Sequence, residues 1–117
     1  MEVIELSAAH RKPKHKPLIV FEEYRIRIGL VAARKLGLSG EEKQFDVEFA
    51  KNADTLLCRV CDFHGNSLSF KKQGLGYVSR NKQASEMVLG TIGIDKFNTK
   101  CIVAGETDNG YFAVIPV

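Results

Sequence analysis

Apolar and polar residues alternate along Tyr24-Arg25-Ile26-Arg27-Ile28, which puts Tyr24, Ile26 and Ile28 on one face of an extended segment and both arginines on the other. This segment closes a longer extended stretch, Leu18 to Ile28. From Leu30 to Leu36 the apolar spacing becomes helical and includes Ala32 and Ala33, and Gly37 stands where a left-handed residue would end the helix. Phe45, Val47 and Phe49 then alternate with Asp46 and Glu48, the pattern of a half-buried strand. Asn52-Ala53-Asp54 supplies a turn, and Thr55 to Phe63 reads as a further strand. The first half is thus predicted as strand, helix, strand, strand.

After a glycine- and lysine-rich connection over residues 65–76, the same order returns. Tyr77-Val78 is a short extended stretch, Asn81 to Leu89 a helix with Ala84, Met87 and Val88 as its inner face, and Gly90 follows it as Gly37 follows the first helix. Cys101 to Ala104 is a strand, Thr107-Asp108-Asn109-Gly110 a hairpin turn, and Tyr111 to Val117 the closing strand. An offset of 53 carries Tyr24 to Tyr77, Leu36 to Leu89 and Gly37 to Gly90. The expected fold is therefore α+β: two βαββ halves, about 18–64 and 77–117, pseudo-duplicated and packed as one compact domain. A single unit of ~45 residues would bury too little surface to fold alone. The competing reading is an ordinary α+β domain with a chance pseudo-repeat.

The run from Arg25-Ile26-Arg27-Ile28 through Ala32-Ala33-Arg34-Lys35-Leu36-Gly37-Leu38, the polar turn Ser39-Gly40-Glu41-Glu42 and the strand Phe45 to Phe49 resembles the AbrB/SpoVT-like swapped-hairpin family. The resemblance covers about Tyr24 to Val60. It implies a nonenzymatic DNA-binding module in which two hairpins interdigitate, with the duplicated chain supplying within one polypeptide what family members build as dimers. By position, Arg25 and Arg27 match the basic residues that the family sets on or beside its DNA-facing strand. Where the family commonly has a proline at the helix start, this chain has Gly29-Leu30.

Charge adds an arm to this picture. The chain has 117 residues, 44% hydrophobic and 26% charged, with a net charge of +3, which reads as one domain. No apolar run approaches the ~20 residues that would cross a bilayer, so no membrane association is expected. The first 17 residues carry Arg11, Lys12, Lys14 and Lys16 against Glu2 and Glu5, while the remaining 100 hold 13 basic and 12 acidic side chains. Most of the net charge therefore sits in an extended, proline-interrupted arm. Such an arm either follows phosphates or an acidic surface, or is simply a solvated leader. Its acidic residues and the lack of an apolar region after the charges do not fit a signal peptide, and a cytoplasmic location is expected.

Candidate chemistry changes little. Cys58-Arg59-Val60-Cys61 with His64 has a zinc-like look, but odd spacing on a strand sends the two thiols to opposite faces. Cys58, Cys61 and Cys101 read better as small buried residues of a reducing compartment, with no metal and no cofactor. Gly74-Leu75-Gly76 lacks the lysine or third glycine of a phosphate loop. Lys71-Lys72-Gln73, with Arg80 and Lys82, forms a second basic cluster, of which Lys71, Lys72 and Arg80 would meet phosphates. With Arg25, Arg27 and the arm lysines and arginine, they are the candidate phosphate contacts, unless Arg25 and Arg27 make cross-strand ion pairs with Asp46 and Glu48. Two functions follow: a DNA-binding module, or a structural or assembly protein of a phage or mobile element (then located in the virion) acting through a protein partner or self-assembly. Neither calls for catalysis or a small-molecule substrate.

Overall fold

The computed structural model describes residues 16–94, 98–107 and 109–117. Its strands are β1 (Leu18–Phe21), β2 (Ile26–Ile28), β3 (Gln44–Asn52), β4 (Thr55–Cys61), β5 (Ser67–Gln73), β6 (Gly76–Ser79), β7 (Thr99–Glu106) and β8 (Phe112–Pro116). Two helices interrupt them, α1 (Leu30–Lys35) and α2 (Lys82–Thr91). All strand pairs are antiparallel, and the sheet closes in the order β1-β2-β6-β5-β3-β4-β8-β7 and back to β1. Closure removes both sheet edges, so among the described residues no strand is left to template association with another chain.

Alternation decides what goes inside. Phe45 and Val47 on β3, Leu56 and Cys58 on β4, Phe70 on β5, Tyr77 on β6 and Val103 on β7 all turn into the barrel and are buried. Phe45 stacks on Phe70 with ring centroids 5.7 Å apart and meets Tyr77 edge-on at 4.6 Å, arrangements worth ~1 kcal/mol each beyond area burial. Because β2 and β6 pair antiparallel and each leads directly into a helix, α1 and α2 leave at opposite ends of the barrel. Ala32, Ala33 and Leu36 plug one end, and Ala84, Val88 and Leu89 the other.

Both helices end the same way. Gly37 N–H bonds to Arg34 O and Leu38 N–H to Ala33 O, each at 3.0 Å. Gly93 N–H bonds to Gly90 O at 3.2 Å, and Ile94 N–H to Leu89 O at 3.0 Å. These are Schellman closures on left-handed glycines, φ +101° at Gly37 and +75° at Gly93. The second closing glycine is thus Gly93, and Gly90 lies inside α2.

The structure overturns the α+β expectation. Among the described residues 48% are in strands and 16% in helices, forming one closed eight-stranded antiparallel barrel rather than two swapped-hairpin-like βαββ units. Leu18 to Ile28 is a hairpin, not one strand, and residues 67–73 of the expected connection are β5. Each half is consequently hairpin, helix, hairpin. Exchanging β1–β4 with β5–β8 reproduces the same cyclic strand order. The offset of 53 does not survive in detail: Tyr24 is 64% exposed and Tyr77 1%, and Met87, expected inside, is 70% exposed. No helix is long and apolar enough to cross a membrane among the described residues.

The turn before β3 is fastened by Glu42, whose carboxylate accepts the backbone N–H groups of Ser39 and Gly40 at 2.9 Å each. The bond from Ser39 leads in pushing its pKa from the ordinary 4.5 down to about 2. A lowered folded-state pKa stabilises above pH 4.5, and that contribution is lost as pH falls toward 2. The urea midpoint of Glu42→Gln should therefore lie below that of the unaltered chain at neutral pH and converge with it in acid.

Candidate functional site

The outer face of the barrel carries two polar sites side by side, one cationic and one built on carboxylates. On the cationic side, Arg27 pairs with Val78 across β2 and β6, and Val78 pairs with Lys71 across β6 and β5. One row of outward positions thus runs Arg27, Val78, Lys71, and Arg80 stands two residues beyond Val78 on the same face. Lys71, Lys72 and Arg80 line a cleft of about 500 Å³, with Ser67, Ser69, Ser79 and Asn81 contributing hydroxyls and an amide. No carboxylate among the described residues lines it.

The cations are not equally available. Lys71 has no ion-pair or hydrogen-bond partner among the described residues and is exposed. Arg80 donates only to the neutral Gln73 Oε1, at 3.1 Å, and Lys72 Nζ donates to Gly40 O at 3.0 Å. Arg25 and Arg27 both reach Glu22 Oε1, at 2.6 and 2.7 Å. Burial works to raise the Glu22 pKa, but the hydrogen bond from Arg25 and both guanidinium charges outweigh it and hold the carboxyl low. The expected pairing of these arginines with Asp46 and Glu48 does not form, because β2 pairs with β1 and β6 and not with β3. Lys16 is exposed just before β1, while Arg11, Lys12 and Lys14 lie outside the described residues. The structure therefore sets Lys71 and Arg80 on one outward face, turns the Lys72 ammonium away to Gly40 O, and places Arg25 and Arg27 nearby already half-neutralised.

The second site follows from hairpin register. Pairing of β3 with β4 sets Glu48 opposite Arg59 and Asp46 opposite Cys61, all facing outward. Pairing of β3 with β5 sets Glu48 opposite Ser67 and Asp46 opposite Ser69. Asp46, 7% exposed, accepts the Ser67 and Ser69 hydroxyls at 2.6 and 2.8 Å. Ser67 Oγ in turn accepts His64 N–H at 2.9 Å, so the buried carboxylate fixes the loop carrying His64. Glu48 is the hub. Its Oε1 accepts from Tyr111 Oη and forms an ion pair at 3.1 Å with Arg59, whose guanidinium lies 4.5 Å over the Tyr111 ring. The Tyr111 hydrogen bond is the chief reason the Glu48 pKa is lowered, and it raises that of Tyr111.

His64 Nε2 lies 2.8 Å from Glu48 Oε2 but off the line of a hydrogen bond, so this buried nitrogen has no aligned partner among the described residues. Its Nδ1 accepts Asn66 N–H at 3.1 Å, which requires the neutral ring with its proton on Nε2. Cys61 is half-buried beside these groups. Burial, then the Glu48 and Asp46 charges, raise its thiol pKa and keep it protonated, the wrong setting for a free nucleophile. Cys58 and Cys101 lie inside the barrel, with burial pushing them up to about 12 and about 11. The three thiols therefore cannot converge, as odd strand spacing implied. Cys61 alone departs from the buried-thiol expectation, and its acidic neighbours went unseen.

Among known proteins, no family model, no curated protein and no solved structure matches this chain.

Proposed function

We propose that the protein is a nonenzymatic binding module that takes the phosphate backbone of a nucleic acid along the outer face of β2, β6 and β5. The observation that carries this reading is the cleft lined by Lys71, Lys72 and Arg80 with no carboxylate of the described residues in its wall. Cations set beside the Asn81 amide suit phosphate oxygens, which accept both kinds of bond, whereas Ser67 and Ser69 already give their hydroxyl protons to Asp46. The N-terminal segment would add Arg11, Lys12, Lys14 and Lys16. Arg25 and Arg27 contribute less, since Glu22 must be displaced or shared. Such contacts position a backbone without reading sequence.

Binding of random-sequence DNA should weaken steeply with salt, with a log–log slope of about −0.9 per duplex phosphate contact, or about −0.7 for single strands. Lys71→Glu with Arg80→Glu should reduce that slope by about 2 contacts' worth, whereas Lys100→Glu on β7 should change it little. Absence of binding at ~50 mM salt, to duplex and single strand alike, overturns the proposal. So does a slope that the double reversal leaves unchanged.

A further inference from the structure

We propose that Glu48, Cys61 and His64 form a site for a divalent transition cation of the zinc class, with three protein ligands and one position open to water. Their oxygen, sulfur and nitrogen donors all lie within 4.8 Å of one another. Bonds of about 2.0–2.3 Å around a tetrahedral ion set neighbouring donors about 3–4 Å apart, so small side-chain rotations suffice to close on a metal.

The site is built rather than incidental. Glu48 and Cys61 are diagonal neighbours on paired strands, near enough for their side chains to meet. His64 follows β4 on the loop that Ser67 and Asp46 hold in place. The buried His64 Nε2 lies 2.8 Å from Glu48 Oε2 without an aligned hydrogen bond, so it can turn to an ion without giving up a well-formed one. Charge agrees. The Cys61 sulfur feels the carboxylates of Glu48, Asp46 and Asp62 against the single guanidinium of Arg59, an excess that a cation would neutralise. The donor set also restricts the ion. Thiolate and imidazole with one carboxylate favour Zn²⁺ and its neighbours over Ca²⁺ or Mg²⁺, which take oxygen.

Binding conserves protons simply. All but one of the aqua ion's waters leave to solvent as sulfur, nitrogen and oxygen bind and the coordination becomes tetrahedral, and the Cys61 thiol proton leaves to solvent. The imidazole proton moves from Nε2 to Nδ1, which gives up the exposed Asn66 N–H bond and can donate to solvent. Glu48 is already ionised. Its Oε2 turns to the ion, while Oε1 keeps Tyr111 and Arg59 as the outer contacts that orient a ligating carboxylate. Cys58 and Cys101 face inward and take no part.

Cobalt titration of the reduced 117-residue chain tests this without reference to nucleic acid, so its failure and that of the phosphate reading are separate events. One equivalent of Co²⁺ should give a thiolate-to-cobalt charge-transfer band, and Zn²⁺ should displace it. Cys61→Ser should abolish the band and weaken Zn²⁺ binding at least about a hundredfold, while Cys101→Ser should leave both intact. His64→Gln, a loop substitution that keeps the thiol, should weaken Zn²⁺ binding by about 10–100-fold and serves if Cys61→Ser fails to fold. No band in the unaltered chain, a band that survives Cys61→Ser, or Zn²⁺ affinity unchanged by His64→Gln overturns the assignment.

Discussion

Replacing Phe70 with alanine is expected to remove about 3–5 kcal/mol of stability, the usual cost of emptying a fully buried aromatic position. Phe70 is 0% exposed, stacks on Phe45 and lies on β5 between β3 and β6. For a domain of this size, that loss should lower the melting temperature by roughly 15–30 °C. Thermal and urea unfolding, followed by circular dichroism, would measure it. The substitution also separates two folds. In a barrel, residue 70 is at the centre of the core. In an α+β domain with residues 65–76 as a connection, it would be a surface position, and such positions change stability by no more than about 0.5 kcal/mol. A small effect would therefore count against closure through β5.

The alternation along Ser67-Leu68-Ser69-Phe70 gives only a weak local strand signal. Only Leu68 and Phe70 are apolar, Lys71-Lys72-Gln73 follows, and glycines stand on both sides. What makes the segment a strand is its two neighbours, β3 and β6. β3 lies some 20 or more residues earlier in the chain, and pairing of that kind leaves no trace in a short window. The same holds for β1 with β7 and β4 with β8, the pairs that turn an open sheet into a barrel. Local elements fared better. The β3–β4 hairpin falls on the strands and turn that alternation and Asn52-Ala53-Asp54 predict, with Ala53 at φ +54°. Gly37 closes α1 in the left-handed conformation, as its position implied.

The carboxylate site was closer to legible than the barrel. With the turn at residues 52–55, hairpin register requires each residue of the first strand to face a fixed partner on the second. Asn52 opposite Thr55 leads directly to Glu48 opposite Arg59 and Asp46 opposite Cys61. Two acidic residues beside an outward thiol, with His64 three residues further on, could have been placed from the sequence by that step alone. The cationic cleft could not, because it depends on β5 meeting β6 and on β2 arriving from the other half. The basic residues were visible. Which of them Glu22 would neutralise was not.

The seam between the halves supplies the second large effect. β2 and β6 have only three and four residues, yet they join the halves on this side of the barrel. Gly76 lies at the close approach: a Cβ there would stand 2.8 Å from Ile28 O and 3.6 Å from the Gly29 Cα. These are backbone atoms, so relief requires β2 and β6 to separate rather than a side chain to rotate. Gly76→Ala should cost about 2–3 kcal/mol, in the range of overpacked cores. Gly74 is the control, two residues away in the same hairpin. It sits at φ +62° with open space around its Cβ position, so Gly74→Ala should cost only the left-handed strain of about 1–2 kcal/mol. Urea midpoints at unchanged m-values would rank the pair. Gly76→Ala falling below Gly74→Ala by at least a few tenths of a molar unit in midpoint is the order that close backbone contact dictates. The reverse order would mean that the two halves meet more loosely than a closed barrel allows.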